Sequence, residues 1–133
     1  MSSLPPLIVS AVAVLRERRV LMVTARGRDV LYLPGGKVDP GETGAQAAAR
    51  EAEEELGTAP TALRELFTVR TQAHGEPKGR EVHMTVFAAE LAAEPRASSE
   101  IDALHWVTGA DADLCPPAGV DTLARLRALD LVD

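Results

Sequence analysis

The segment from residue 31 to residue 57 reads LYLPGGKVDPGETGAQAAAREAEEELG. It passes from apolar residues to a glycine-rich stretch and then to a stretch rich in alanine and glutamate. It opens with an apolar run that Pro34 and two glycines close, which indicates a short strand followed by a turn. Thr43 and Gln46 have the spacing of a capping box, so we expect a helix to begin after Thr43. Gly57 readily takes the left-handed conformation that ends many helices, so we expect the helix to stop there. The segment therefore predicts a strand, a glycine-rich turn and a helix in that order.

Two adjacent stripes of side chains run along this predicted helix. Because successive residues turn by about 100°, five apolar residues share one stripe, which predicts the face that packs against a sheet. This apolar stripe consists of Ala45, Ala48, Ala49, Ala52 and Leu56. Glu51, Glu54 and Glu55 form a second stripe of similar width beside it, and Glu53 points away to solvent. The carboxylates are therefore crowded onto one side of the helix.

Crowded carboxylates need an explanation, because like charges at helical neighbour spacing destabilise a helix by about 0.2–0.5 kcal/mol per pair. Solvent is one explanation, since most glutamate runs on helices are solvated faces. A divalent cation is the other, because hard cations prefer carboxylate oxygens as ligands. The preceding glycines favour the cation, since they allow close approach and offer backbone carbonyls. Arg50 lies four residues before Glu54 and can pair with it.

The rest of the chain shows mainly strand patterns. Apolar, β-branched runs at residues 7–15 and 19–25 predict two strands with a tight connection. Residues 29–36 (DVLYLPGG) predict the short strand that Pro34 and the glycines close. Two further runs, ALRELFTVRTQAH and EVHMTVFAAEL, flank the polar turn GEPKGR and predict a long hairpin. Residues 103–109 predict another short strand.

An amphipathic helix is predicted near the C-terminus, because apolar residues recur there at spacings of three. These residues are Val120, Leu123, Leu126 and Leu129. The order strands, helix, strands, helix predicts a mixed sheet with helices packed on it. We therefore expect one α/β domain over residues 1–133.

Composition and charge exclude several classes of partner. The chain has 20 acidic and 14 basic residues and a formal charge of −6, so we do not expect it to bind a nucleic-acid duplex. Its longest apolar run, residues 7–15, is about half of what a membrane-spanning helix needs, so we expect no membrane association and a cytoplasmic protein. The single Cys115 has no partner for an internal disulfide. We interpret it as a small apolar filler rather than a nucleophile.

From Gly36 onward, the charged residues and glycines follow a specific spacing: five residues, Glu42, seven residues, and then REAEEELGT at 50–58. This spacing resembles the Nudix box of the MutT-like hydrolases, G-x5-E-x7-R-E-U-x-E-E-x-G-U, where U is a bulky aliphatic residue. All charged and glycine positions match. Ala52 is a small residue at a U position, and Thr58 replaces an aliphatic one, which weakens only a packing contact beyond the helix. The resemblance implies the Nudix fold, an α/β/α sandwich with a mixed central β-sheet.

The resemblance also implies an activity. Nudix enzymes use water, and usually Mg²⁺, to cleave a nucleoside diphosphate linked to another moiety, and we expect Mn²⁺ to substitute for Mg²⁺. The expected function is a Mg²⁺-dependent pyrophosphohydrolase that cleaves a phosphoanhydride bond of a nucleoside triphosphate or related nucleoside-diphosphate-linked small molecule. One alternative is a non-catalytic Nudix-fold nucleotide-binding or sensor module, whose usual sign is a broken box; another is a structural domain with incidental glutamates. Homodimers are common among such proteins, so a homodimer is a further expectation.

By position in the box, the expected metal ligands are the Gly36 carbonyl, Glu51, Glu54 and Glu55. The expected catalytic residues are Arg50, Glu51 and Glu54, and Glu51 is a candidate general base, since members of the family differ over which glutamate takes the proton. Arg50 is expected to orient a glutamate through its fork of donors, with a simple surface ion pair as the alternative. We expect Glu42 to support the loop rather than bind metal directly.

Outside the box, fewer residues can be assigned. Lys37, Arg70 and Arg80 are candidates for contact with substrate phosphates, and a solvated lysine explains position 37 equally well. Family members often recruit an extra acid from a late loop, and Glu94 and Glu100 both lie in that region. Each of these two glutamates is equally well explained as a solvent-exposed residue.

The sequence gives little information on which residues would contact the base of a nucleotide. His74, His83 and His105 show no ligand spacing and are assigned structural or surface roles. The segment LCPPAGVDTLARLRAL resembles the corresponding end of MutT-type enzymes that hydrolyse oxidised guanine nucleotides, where an asparagine after the two prolines reads the purine. Gly119 stands in that place and has no side-chain donor or acceptor. We therefore expect no strict specificity for an oxidised guanine.

Overall fold

The structure, a computed structural model, describes residues 4–133, and within them six strands form one sheet with helices packed on it. The elements are β1 (Leu7–Arg16), β2 (Arg19–Ala25), β3 (Gly35–Lys37), α1 (Gly44–Leu56), β4 (Pro60–Gln72), β5 (Glu81–Leu91), β6 (Ile101–Val107), a 3₁₀ helix (Gly109–Leu114) and α2 (Pro117–Ala128). The strand order is β4-β5-β1-β2-β6, and β3 pairs with β1. The middle of the sheet is therefore β1.

The central strand β1 pairs with three neighbours. It runs parallel to β5 and antiparallel to β2 and β3, so the sheet is mixed, as predicted. Each residue from Ala11 to Val14 is at most 5% exposed. A strand that is covered on both faces is a nearly continuous apolar run, which accounts for the sequence AVAVL.

The two faces of the sheet carry separate cores, because alternate side chains of β1 point in opposite directions. On one face, Ala11 and Ala13 belong to a buried cluster with Leu123 of α2. On the other face, Val12 and Val14 belong to a cluster with the alanines of α1. One helix on each side of a mixed sheet is an α/β/α sandwich, so the predicted fold class is confirmed.

Helix α1 begins and ends where the local signals predict. The Thr43 hydroxyl accepts a hydrogen bond from the Gln46 N–H at 3.1 Å, and the Gln46 side chain accepts one from the Thr43 N–H at 2.9 Å. Gly57 ends the helix with φ of 69°, in the left-handed region. These signals act within a few residues, which is why the sequence reveals them.

The buried face of α1 differs from the prediction at three positions. Ala48, Ala52 and Leu56 are fully buried, whereas the predicted Ala45 and Ala49 are only partly buried. Ala47 is fully buried although it lies on the acidic stripe, one turn before Glu51. The reason is that α1 packs against β3 as well as β1. The helix therefore has a second contact surface, which an apolar stripe alone does not indicate.

The short strand predicted at residues 29–36 is wrong in its position. Tyr32 makes only an isolated bridge with Val23, and the regular strand is β3, which consists of the glycines and Lys37. A Cβ at Gly35 would lie 2.7 Å from the Cα of Ala11, so this pairing requires a residue without a side chain. Tertiary contact with β1 thus outweighs the low strand propensity of glycine.

Helix α2 forms as predicted, but only half of its predicted apolar face is buried. Leu123 and Leu126 are buried, whereas Val120 is 44% and Leu129 is 51% exposed. A spacing of three falls about 60° short of a full turn at each step, so residues nine apart lie on opposite sides of a helix. Gly119 and Thr122 take the remaining buried positions.

The late part of the chain completes the sheet. β4 and β5 pair antiparallel around the loop of residues 73–80, so the predicted hairpin is confirmed. β6 pairs with β2 and contains most of the last predicted strand. Among residues 4–133, no helix is both long enough and apolar enough to cross a membrane.

Candidate active site

The glycine-rich turn lies directly against the acidic side of α1. A Cβ at Gly36 would lie 2.5 Å from the carboxyl carbon of Glu51, so only glycine fits there without displacing that side chain. The Gly35 N–H donates to Oε1 of Glu55 at 3.4 Å. The turn therefore brings the backbone of two glycines beside two of the three predicted carboxylate ligands.

Arg50 connects the turn to the helix. Its guanidinium donates to both carboxylate oxygens of Glu42, at 2.7 and 2.9 Å, and to Oε1 of Glu51 at 2.8 Å. It also donates to the Lys37 carbonyl at 3.3 Å, whereas Glu54 lies farther away, at 3.9 Å. The bidentate contact with Glu42 fixes the plane of the guanidinium. Arg50 thereby orients Glu51, and Glu42 holds Arg50 in place.

Glu55 is a partly buried carboxylate of the row. Burial, together with the nearby charges of Glu51, Glu100 and Glu54, raises the pKa of Glu55 to about 8, although the hydrogen bond from the Gly35 N–H opposes this shift. Bringing negative charges together in a shielded place disfavours ionisation of each of them. A positive charge among these oxygens would remove that penalty.

The donor set has the chemistry that a hard divalent cation requires. Carboxylate and carbonyl oxygens are the ligands that Mg²⁺ prefers, and the row offers them along one side of α1. As they stand, the side chains of residues 4–133 include no three His, Cys, Asp or Glu drawn together tightly enough to enclose an ion. Arg50 accounts for part of this spacing, because it holds Glu51 at 2.8 Å. The oxygen donors of this row are nevertheless of the type that fits a hard divalent cation.

The late loop, residues 92–100 between β5 and β6, is joined to the end of α1 by hydrogen bonds of its backbone. The Arg96 N–H donates to the carbonyl of Leu56 at 2.9 Å, and the Ser98 N–H donates to the carbonyl of Glu55 at 3.1 Å. Carbonyls in the last turn of a helix have no partner within the helix, so the loop satisfies two of them. The loop and the acidic end of α1 therefore form one hydrogen-bonded unit.

The two candidate acids of this region have different surroundings. Glu100 lines the same cavity as Glu55. Glu94 forms an ion pair with Arg16 at 2.9 Å, with both side chains largely exposed. Only Glu100 therefore stands near the carboxylates of α1.

A cavity of about 300 Å³ opens beside Glu55 and Glu100. Most of its lining is apolar and comes from β1, β5 and the segment before β3, including Leu7, Val9, Leu31, Leu33, Val82 and Met84. Tyr32, Gln72 and His74 also line it, and none of them is predicted as a site residue from the sequence. Only the fold brings these separate segments together, so no local pattern indicates the cavity.

Gly119 lies in the wall of this cavity and is buried. A Cβ at this position would lie 2.7 Å from the Cβ of Cys115, so the wall leaves no room for a larger residue without rearrangement. Burial raises the pKa of the Cys115 thiol to about 11, with the charge of Asp111 adding to the effect. A neutral thiol packed behind the wall agrees with the interpretation of Cys115 as an apolar filler.

The three predicted phosphate-binding residues lie away from the cavity lining. Lys37 is exposed at the end of β3, and Arg70 is exposed on β4. Arg80 lies at the end of the β4–β5 loop, 3.5 Å from Glu76. Contact of these residues with a substrate stays a prediction.

Residues 4–126 match the model of the NUDIX domain family, so the chain belongs to that family. The 8-oxo-dGTP diphosphatase of Escherichia coli strain K12 is 30% identical over 127 residues, which cover 90% of this chain and 95% of that protein.

Solved structures give the same assignment. The solution structure of the E. coli ORF135 protein has a TM-score of 0.75 and 26% identity, and covers 98% of this chain and 96% of its own. The MutT NUDIX hydrolase from Burkholderia pseudomallei has a TM-score of 0.71 and 28% identity, with 96% of this chain and 98% of its own covered. The prediction of a MutT-like Nudix hydrolase is therefore confirmed.

Proposed function

We propose that this protein is a Mg²⁺-dependent pyrophosphohydrolase that cleaves a phosphoanhydride bond of a nucleoside triphosphate or a related nucleoside-diphosphate-linked compound. The observation that carries the proposal is the position of Glu55, which belongs both to the carboxylate row of α1 and to the wall of the cavity. A substrate in the cavity would thus have its phosphate chain beside the carboxylates. Mn²⁺ is the expected substitute for Mg²⁺.

The carboxylate row needs a cation before it can accept a phosphate chain, because both are negatively charged. Bound Mg²⁺ would neutralise phosphate charge and lower the pKa of a bound water. In our proposal Glu51, Glu54 and Glu55 hold the cation together with the Gly36 carbonyl. Arg50 keeps Glu51 oriented, and Glu51 is the candidate base that takes the proton of the attacking water.

The other end of the substrate would lie in the apolar part of the cavity. Glu100 is the extra acid that we propose for the site, since it lines the cavity with Glu55. Gly119 offers no side-chain group to read a base edge. Discrimination by hydrogen bonds depends on such groups, so we propose a tolerant enzyme rather than one specific for an oxidised guanine.

Substitutions on α1 test the activity. We expect Glu54→Gln and Glu55→Gln each to lower turnover by about 100-fold or more, because each removes a charged ligand while keeping the shape of the side chain. Glu53→Gln is the matched control, since Glu53 is exposed on the same helix. Release of phosphate or pyrophosphate from nucleoside triphosphates and nucleoside-diphosphate-linked compounds, with Mg²⁺ in excess, is the measurement. Hydrolysis near the wild-type rate by both variants would refute the proposed function.

The proposal extends to partners and location. The partner is a small nucleotide, and we propose that the protein acts in the cytoplasm without binding a nucleic-acid duplex. A homodimer stays a prediction that light scattering of the purified protein can test.

A further inference from the structure

Strand β6 is interrupted by a β-bulge near its start. In its pairing with β2, Thr24 lies opposite Ala103, whereas the next residue of β2, Ala25, lies opposite Ile101. Two steps along β6 therefore correspond to one step along β2. Asp102 is the extra residue, as in a β-bulge.

The bulge changes the face of the sheet on which the preceding residues lie. Ile101 packs in the same core as Leu104 and Trp106, on the face that α1 covers. In a regular strand, a residue three positions before Leu104 would point to the other face, where Val107 packs. A shift of one residue moves each side chain to the opposite face. The bulge therefore sets the direction of Ile101 and of Glu100, which comes immediately before it.

One side-chain hydrogen bond holds the extra residue in place. The Thr24 hydroxyl donates to Oδ1 of Asp102 at 2.6 Å. A hydrogen bond from a hydroxyl to an ionised carboxylate is short and about twice as strong as one between neutral groups. The same hydroxyl lies 3.2 Å from Nε2 of His105, and its lone pairs can accept from that N–H while its hydrogen goes to Asp102. The bond joins β2 to the bulge and so favours the bulged register over a regular one.

The backbone on both sides of Glu100 is also tied to its neighbours. The Glu100 carbonyl accepts from the Arg26 N–H at 2.9 Å, next to the end of β2. The Ile101 N–H donates to the Ser98 carbonyl at 3.1 Å, and the Ser98 N–H donates to the Glu55 carbonyl at 3.1 Å. Glu100 is therefore held between β2 and α1, and the bulge follows directly after it.

We propose that Thr24 and Asp102 are positioning residues that lock the bulge of β6 and thereby hold the carboxylate of Glu100 beside Glu55. The inference rests on the proposed function, in which Glu100 is the extra acid of the metal site. Glu100 and Glu55 both line the cavity, whereas neither Thr24 nor Asp102 does. The locking pair therefore acts through Glu100 and makes no contact with substrate in the cavity.

The affinity for Mg²⁺, measured by calorimetry on the whole protein without nucleotide, tests the lock. Thr24→Val removes the hydroxyl but keeps the shape of the side chain. We expect it to raise the Kd for Mg²⁺ by about tenfold, within the range found when a residue that supports a metal ligand is lost. Asp102→Ala should have the same effect. Asp102→Asn should keep the wild-type Kd, because its amide oxygen still accepts from Thr24.

A matched control separates the lock from a general loss of strand contacts. Thr68→Val removes a hydroxyl that lies 3.0 Å from the Thr85 hydroxyl, between β4 and β5 at the other edge of the sheet from β6. The Kd for Mg²⁺ should not change in this variant. Thermal unfolding of each variant shows whether it folds, and if Thr24→Val does not, Asp102→Ala and Asp102→Asn make the same comparison.

A double variant tests whether the pair acts through Glu100. Glu100→Gln should also raise the Kd for Mg²⁺ by about tenfold, since it removes the charge of the acid itself. Adding Thr24→Val to Glu100→Gln should then raise the Kd no further. A merely structural role of Thr24 would lower the melting temperature without changing the Mg²⁺ affinity of the folded protein.

Three results would overturn the lock: a wild-type Kd for Mg²⁺ in Thr24→Val and Asp102→Ala, a wild-type Kd in Glu100→Gln, or a further loss in the double variant. A wild-type protein that does not bind Mg²⁺ would overturn it as well. If the wild-type protein binds Mg²⁺ but hydrolyses no nucleotide, the proposed function fails alone. The calorimetry still decides on the lock in that case, because it uses no substrate.

Discussion

Gly35 and Gly36 are neighbours in the chain, yet a methyl group added to each would meet a different kind of obstacle. At Gly36 the obstacle is the end of the Glu51 side chain, with Oε2 at 2.7 Å, and a side-chain end can rotate away. At Gly35 the obstacles are backbone atoms, the carbonyl of Ser10 and the Cα of Ala11, which cannot rotate away. Gly36 therefore protects the position of the Glu51 side chain, and Gly35 protects the packing of the sheet.

This difference separates activity from stability. We expect Gly36→Ala to fold with a melting temperature within about 3 °C of wild type but to lose at least about tenfold in turnover, because Glu51 is displaced. Gly35→Ala should lower the free energy of unfolding by about 1–3 kcal/mol, as overpacking does. Thermal unfolding and hydrolysis assays on both variants are the measurement. Wild-type turnover by Gly36→Ala would contradict this role.

Thr58 shows how a single position can be misjudged from the sequence. The sequence predicts only the loss of a packing contact at Thr58, because the family pattern has an aliphatic residue there. In the structure it is 8% exposed and its hydroxyl accepts a hydrogen bond from the Ala93 N–H at 3.1 Å. Ala93 is distant in sequence, so the interaction that replaces the packing contact is invisible without the fold.

At the scale of elements, the glycine-rich turn is joined to α1 through the pair of Arg50 and Glu42. The hydrogen bond from Arg50 lowers the pKa of Glu42 from 4.5 to about 2, and a backbone N–H of the turn adds to the effect. A carboxyl group with a lowered pKa in the folded protein stabilises it above the unfolded pKa. This stabilisation is therefore complete above about pH 4.5 and is lost as the pH falls towards about 2.

We expect Glu42 to titrate near pH 2 in carboxyl-carbon NMR and Arg50→Lys to move that midpoint up towards 4.5, because lysine lacks the fork of donors. Arg125→Lys is the control, since Arg125 pairs with Asp121 on α2, away from this contact. A Glu42 midpoint near 4.5 in the wild-type protein would show that the pair does not form in solution.

At the scale of the whole molecule, a cation that binds only the folded state must raise its stability. At a concentration of Mg²⁺ about 100 times its dissociation constant, the gain is about 2.7 kcal/mol, or on the order of 10 °C in melting temperature for a domain of this size. We expect this rise in wild type and in Glu53→Gln, and a much smaller one in the double variant Glu54→Gln with Glu55→Gln. Differential scanning calorimetry with and without Mg²⁺ measures it. An equal rise in all three proteins would place the cation elsewhere.

The parts of the fold that follow from the sequence are those with local causes. The capping residues of α1 and the apolar run of β1 act over short distances, so the helix and the strand form where they are predicted, and the box from Gly36 to Gly57 identifies the family. The position of β3 and the burial of Ala47 depend on contact between distant segments, and both differ from prediction. The cavity follows the same rule, because Tyr32, Gln72 and His74 come together only when β4, β5 and the segment before β3 pack around β1.

The backbone hydrogen bonds between the late loop and the end of α1 limit how the length of this loop can vary. Residues 92–100 join β5 to β6, and two of their amides are committed to the carbonyls of Glu55 and Leu56. The Glu100 carbonyl in turn accepts a hydrogen bond from the Arg26 N–H at 2.9 Å, so the short stretch from Ser98 to Glu100 spans the gap between α1 and the end of β2. A change in the length of this stretch would therefore break one of the two attachments or shift Glu100 relative to the carboxylates of α1.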